Sequence, residues 1–143
     1  MDKFVGRWEY HHDLSPGEDV AKFAEGLKLD KEELEEMSNM TGIMEISKHG
    51  KGLRIKVFLN GKFDHEFNIN LDGTESDFKI HDGRQAKGLF SIKDGKLCGE
   101  NIKILDVQEM IMEETMEVEG DWIKMTTILP KENFTTVSWY KKI

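Results

Sequence analysis

Glu114 and Tyr140 are the two residues whose types could exchange a proton with an apolar substrate. A carboxylate acts as a base and a phenol as an acid, and burial tunes both, as in isomerases. Other chemistry is thinner. The histidines at 11, 12, 49, 65 and 81 show neither zinc-like nor HExxH spacing, so surface or strand positions are expected and no metal or other cofactor is predicted. No nucleophile elbow, phosphate loop or Ser-His-Asp order is visible. Cys98 is the single cysteine, which excludes an internal disulfide, fits a reducing compartment and predicts a small core residue. A lone buried carboxylate is as readily a hydrogen-bond partner as a catalyst, so the expectation is a binding protein, with an isomerase-like enzyme using Glu114 and Tyr140 as the alternative.

The 143 residues suit a single domain spanning 1–143, and with 38% hydrophobic residues spread along the chain it should fold throughout. A net charge of −8 opposes binding to nucleic acid or to anionic lipid surfaces. The opening Met1-Asp2-Lys3-Phe4 lacks the apolar run of a signal peptide, and no stretch approaches the ~20 apolar residues of a membrane span. A soluble, cytoplasmic monomer is expected, its membrane contact at most transient. Without an export signal, the sequons at Asn39 and Asn133 are coincidences. The acidic run Glu32, Glu33, Glu35 and Glu36 reads as a solvated face rather than an interaction module.

Positioning these residues falls to strands. Turn signals recur at His49-Gly50, Asn60-Gly61, Asp72-Gly73, Asp82-Gly83, Asp94-Gly95, Gly120-Asp121 and Pro130 to Asn133. Asn-Gly and Asp-Gly supply the positive φ of primed hairpin turns, so the segments between them form a β-meander. Strands are predicted at about 4–12, 43–48, 53–59, 63–71, 76–81, 87–92, 96–105, 107–118, 122–129 and 134–142. Between the first two the period becomes helical. Ser15-Pro16-Gly17-Glu18 is a capping box followed by Val20, Phe23, Ala24 and Leu27; Asp30 with Glu33 opens a second helix carrying Leu34 and Met37. The fold class is therefore all-β: a ten-stranded up-and-down antiparallel barrel, calycin-like, with a helix-turn-helix lid between strands 1 and 2. Closure removes exposed edges, and a barrel this wide cannot be filled by its own side chains. A cavity follows, with ligand access beside the lid.

Alternation predicts an inward face of Leu53, Ile55, Val57, Phe67, Ile69, Met110, Met112, Glu114, Met116, Met125, Thr127, Ser138 and Tyr140, with Met44 and Ile46 beside them. Methionines are adaptable, so a cavity they line can repack around different ligands. In the strand at 107–118 a shift of one residue would place Thr115 inward in place of Glu114.

The sequence resembles the intracellular lipid-binding proteins, which include fatty-acid-binding and cellular retinoid-binding proteins. The resemblance rests on Phe4-Val5-Gly6-Arg7-Trp8, Asn39-Met40-Thr41, Asp82-Gly83-Arg84-x-x-Lys87, Asp94-Gly95-Lys96-Leu97 and Trp139-Tyr140-Lys141-Lys142, in order along nearly the whole chain. It implies a carrier of one apolar ligand, a fatty acid, retinoid or related lipid, without catalysis. Many members hold a ligand carboxylate with Arg-x-Tyr on the last strand and a second arginine two strands earlier. Here Tyr140 matches the tyrosine, but Ser138 stands at the first arginine position and Glu114 or Thr115 at the second. Arg84 is the remaining cationic candidate, in an Asp-Gly-Arg that is equally a solvated turn. A buried carboxylate needs a cation or several donors. The expected ligand accordingly carries a neutral head group held by Ser138, Tyr140 and Glu114; the alternative is a fatty acid with its carboxylate near Arg84. Phe23, Leu27 and Met37 are expected to touch the ligand tail from the lid.

Overall fold

The structure is a computed structural model that describes residues 2–11, 41–79, 85–105, 107–131 and 133–143, with the backbone alone for 107–110 and 134. A short 3-10 turn, Asp2–Phe4, leads into ten strands: β1 (Gly6–Tyr10), β2 (Gly42–His49), β3 (Gly52–Leu59), β4 (Lys62–Ile69), β5 (Ser76–Lys79), β6 (Gln85–Lys93), β7 (Lys96–Ile104), β8 (Val107–Glu119), β9 (Trp122–Leu129) and β10 (Phe134–Lys142). All ladders are antiparallel, in the order β4-β3-β2-β1-β10-β9-β8-β7-β6-β5. The first strand pairs with the last, Tyr10 opposite Tyr140, as well as with β2. The sheet curls until its two end strands, β4 and β5, lie side by side, and there the Asn70 N–H donates to Ser76 Oγ at 2.8 Å. The result is a nearly closed ten-stranded barrel.

The turn chemistry explains the meander. Asn60 and Gly61 have φ of 51° and 79°, and Asp94 and Gly95 have 52° and 76°, the two successive positive angles of a type I′ turn. At Gly52 the opening of β3 passes so close to the end of β4 that any Cβ would overlap the Ile69 carbonyl oxygen. The two helices predicted between β1 and β2, with Val20, Phe23, Leu27, Leu34 and Met37, lie outside the described residues, as do the Asp82-Gly83 turn and Arg84.

One end of the barrel is solid. Phe4, Trp8, Ile46, Leu53 and Ile123 are all at most 1% exposed there, and the buried indole of Trp8 satisfies its N–H on the Phe4 carbonyl at 3.0 Å. An ion pair between Asp2 and Lys48 ties the 3-10 turn to the end of β2. On the outer wall, Trp122 and Trp139 meet edge to face at 6.3 Å, with the Lys141 ammonium over the first ring and that of Lys124 over the second. Cys98 is corrected by the structure. It is half-buried on the outward face of β7, because Leu97 and Gly99 take the inward positions on either side of it.

Candidate functional site

Strand alternation brings the polar candidates to the barrel interior. In β8 the even residues face inward: Met112 and Met116 are buried, and Glu114 between them lines a cavity, which places Thr115 on the opposite face. Glu114 stands between Gly99 of β7 and Thr127 of β9; one row further along, Met116 pairs with Met125 and Met125 with Ser138. The next row joins Val118, Ile123, Tyr140 and Tyr10, the two tyrosine rings tilted against each other at 5.4 Å.

The cavity measures about 240 Å³, close to the lower end of the ~300–1,000 Å³ usual for small-molecule sites. Its wall is mainly apolar, with Met44, Ile55, Val57, Phe67, Met116 and Met125 on it, and Glu114, Tyr140, His65 and Lys79 supply the polar groups. Burial pushes the Glu114 carboxyl up to about 7, because leaving water costs the ionised form most. The Tyr140 hydroxyl is raised as well, first by burial and then by Tyr10 and by the nearby charge of Glu114. Among the described residues no cation and no hydrogen-bond donor meets the Glu114 carboxyl. The cavity therefore offers a carboxyl that is protonated in part near neutrality, able to donate a hydrogen bond in one state and accept one in the other.

Of the residues singled out in the sequence, Met44, Ile55, Val57, Phe67, Ile69, Glu114, Met116, Met125 and Tyr140 converge on this cavity. Met112 and Thr127 are buried at 4% and 6% exposure but do not line it, since Met112 packs opposite Ile102 and Thr127 lies in the ladder between Glu114 and Thr136. Ser138 is half-buried beside Met125 and also stands off the wall. Arg84, Phe23, Leu27 and Met37 lie outside the described residues.

Beyond Phe67 and Ile69, sequence reasoning missed the wall formed by β4 to β7. His65 stacks on Phe67 at 5.8 Å with 16° between the rings; Phe67 meets Phe78 at 5.3 Å and Phe78 meets Phe90 at 5.8 Å. This aromatic series spans the junction of β4 and β5 from inside. The alternation of Ser76 with Phe78 and of Ala86, Gly88 and Phe90 carried the signal. Lys79 escapes that rule: it lies on β5 next to Phe78, is exposed, and still reaches the cavity.

No sequence-family model matches the chain, and no curated protein matches it. Solved structures do. Fatty-acid-binding protein 1 of Echinococcus granulosus superimposes with a TM-score of 0.82 at 21% identity, over 100% of this chain and 99% of the other. A Schistosoma mansoni fatty acid binding protein in complex with arachidonic acid gives 0.81 at 20% identity, over 100% and 98%. Secretory abundant heat soluble protein 4 of Ramazzottius varieornatus gives 0.78 at 18% identity, over 100% and 96%. From end to end, the chain has the fold of the fatty-acid-binding proteins.

Proposed function

We propose that the protein is a cytoplasmic carrier of the intracellular lipid-binding family, monomeric, holding one apolar ligand (a fatty acid, retinoid or related lipid) inside the barrel. The observation that carries this reading is the largely apolar cavity in a barrel whose structural neighbours include a fatty acid binding protein complexed with arachidonic acid. Hydrocarbon burial supplies most of the affinity, at about 0.8 kcal/mol per methylene. The methionines Met44, Met116 and Met125 suit ligands of more than one shape. The helical pattern carrying Phe23, Leu27 and Met37 supports a lid that moves aside as the ligand enters.

The head group in this reading is uncharged and sits beside Glu114 and Tyr140. An ionised Glu114 repels a ligand carboxylate, and a protonated one hydrogen-bonds an alcohol or ester equally well. A fluorescent fatty-acid analogue reports occupancy, and a fatty acid, its alcohol and its methyl ester then compete for the site. The alcohol should bind more tightly than the acid, and Glu114→Gln should narrow the gap. If the acid binds more tightly and Lys79→Ala or Arg84→Ala abolishes that preference, a carboxylate held at the cavity mouth is correct instead. If no lipid displaces the probe or raises the melting temperature, the carrier reading fails.

A second reading, an isomerase-like enzyme, is favoured by one observation: Glu114 and Tyr140 line the same cavity, and burial pushes the Glu114 carboxyl up to about 7, where a general acid or base works best. Turnover of a bound lipid that Glu114→Gln abolishes would establish it.

A further inference from the structure

The cavity has a second polar position that the head-group reading leaves unused. His65 is on β4 and Glu114 on β8, four strands apart through β5, β6 and β7 and six the other way, so they stand on facing walls. The His65 side chain is 16% exposed, and its Nδ1 lies 2.6 Å from an Asp64 carboxylate oxygen. Stacking on Phe67 fixes the plane of the ring. With Nδ1 engaged, Nε2 is the nitrogen left for the cavity, and among the described residues nothing bonds to it. No nitrogen or oxygen of the described side chains is both fully shielded and unpartnered, so Nε2 remains open to a ligand atom.

Building on the carrier reading, we infer that His65, oriented by Asp64, and Glu114 with Tyr140 form two separate polar stations, and that the ligand is a long-chain lipid bearing hydroxyl groups at two separated carbons. The group that fits both stations follows from their chemistry. Neutral imidazole with its Nδ1 proton given to Asp64 presents an acceptor at Nε2; protonated imidazole presents a donor. The Glu114 carboxyl likewise donates or accepts according to its state. A hydroxyl is both donor and acceptor and complements each station in either state. A carboxylate satisfies only the protonated forms, and an ammonium only the unprotonated ones. The apolar residues that line the same cavity, Ile55, Val57, Met116 and Met125 among them, suit the hydrocarbon joining the hydroxyls.

The test uses the full chain and a fluorescent fatty-acid analogue, displaced by a long-chain mono-alcohol and by diols of the same length whose second hydroxyl stands at different carbons. At least one diol should bind about tenfold more tightly than the mono-alcohol, the worth of one buried hydrogen bond. His65→Phe, which keeps a stacked ring, should remove that gain, bringing the best diol to within about twofold of the mono-alcohol measured in the same variant. Glu114→Gln should lower both ligands together. In the unaltered protein the nitrogen NMR resonance of His65 Nε2 should move on adding the preferred diol and not on adding the mono-alcohol, a readout that needs no variant. The inference is overturned if the mono-alcohol binds and no diol does better, if the gain survives His65→Phe, or if the Nε2 resonance ignores the diol. Failure of the mono-alcohol and every diol to displace the probe would instead remove the carrier reading, and this inference with it.

Discussion

The two halves of the barrel interior are built from similar residues to opposite ends. In the solid end Phe4, Trp8, Ile46, Leu53 and Ile123 interdigitate until almost no surface is left, and the polar N–H of Trp8 has a partner inside the core. In the hollow part the methionines and the Phe67–Phe78–Phe90 series line a void instead of filling it, and Glu114 is left without a partner among the described residues. A closed barrel of ten strands is wider than its side chains can fill, so completing one half leaves the void to the other. The unpaired carboxyl then costs stability wherever it is ionised. In a protein meant only to fold, an apolar residue would serve better there.

The sharpest way to break this comparison is to truncate one residue on each side. Trp8→Ala should cost about 3–5 kcal/mol, as expected for a large aromatic in a close-packed core. Met125→Ala, whose side chain already borders a void, should cost under about 2 kcal/mol. Denaturant midpoints at constant slope measure both. Equal losses would show that the two halves are packed alike.

The next test concerns the cost carried by Glu114. Its pKa is raised on folding, from the model-peptide 4.5 to about 7. The folded state therefore binds the proton more tightly than the unfolded chain does. The resulting stability is fully present below about pH 4.5 and is lost as pH rises through 7, up to about 3 kcal/mol and less where cavity water solvates the charge. Subtracting the pH–stability curve of Glu114→Gln from that of the parent isolates this term. A difference curve that is flat between pH 4.5 and 7 would mean the carboxyl is solvated.

A smaller effect should come from narrowing the void. At Gly99 an added Cβ would lie 2.6 Å from the Phe90 ring and 2.9 Å from Ile102. Gly99→Ala should cost about 1–3 kcal/mol through overpacking and weaken the fluorescent probe several-fold. Unchanged affinity would place the ligand away from the β6–β7 wall.

The strands and their order were legible because primed turns announce themselves in Asn60-Gly61 and Asp94-Gly95, and because Leu53 to Val57 alternate cleanly. The inward setting of Glu114 followed from its methionine neighbours once the register was fixed. Bulges hid the rest. In β7 the register shifts between Gly99 and Ile102, with Asn101 at a φ of 50°, so the inward set passes from odd to even residues within one strand. Cys98 precedes that shift, and its outward setting is given by the alternation of its flanks, Leu97 and Gly99, rather than by its own hydrophobicity. His65 and Asp64 are adjacent in sequence, which alternation alone would send to opposite faces. Their contact is visible only in three dimensions.

The placement of the three tryptophans gives the molecule a built-in separation of optical signals. Trp8 is sealed in the solid end, Trp122 and Trp139 are on the outer wall under lysines, and none of them lines the cavity. Intrinsic emission should therefore shift to the red when the chain unfolds and Trp8 meets water, yet change little when a ligand fills the cavity. Native fluorescence reads integrity, an added dye reads occupancy, and the two can be followed in one cuvette without correcting either for the other.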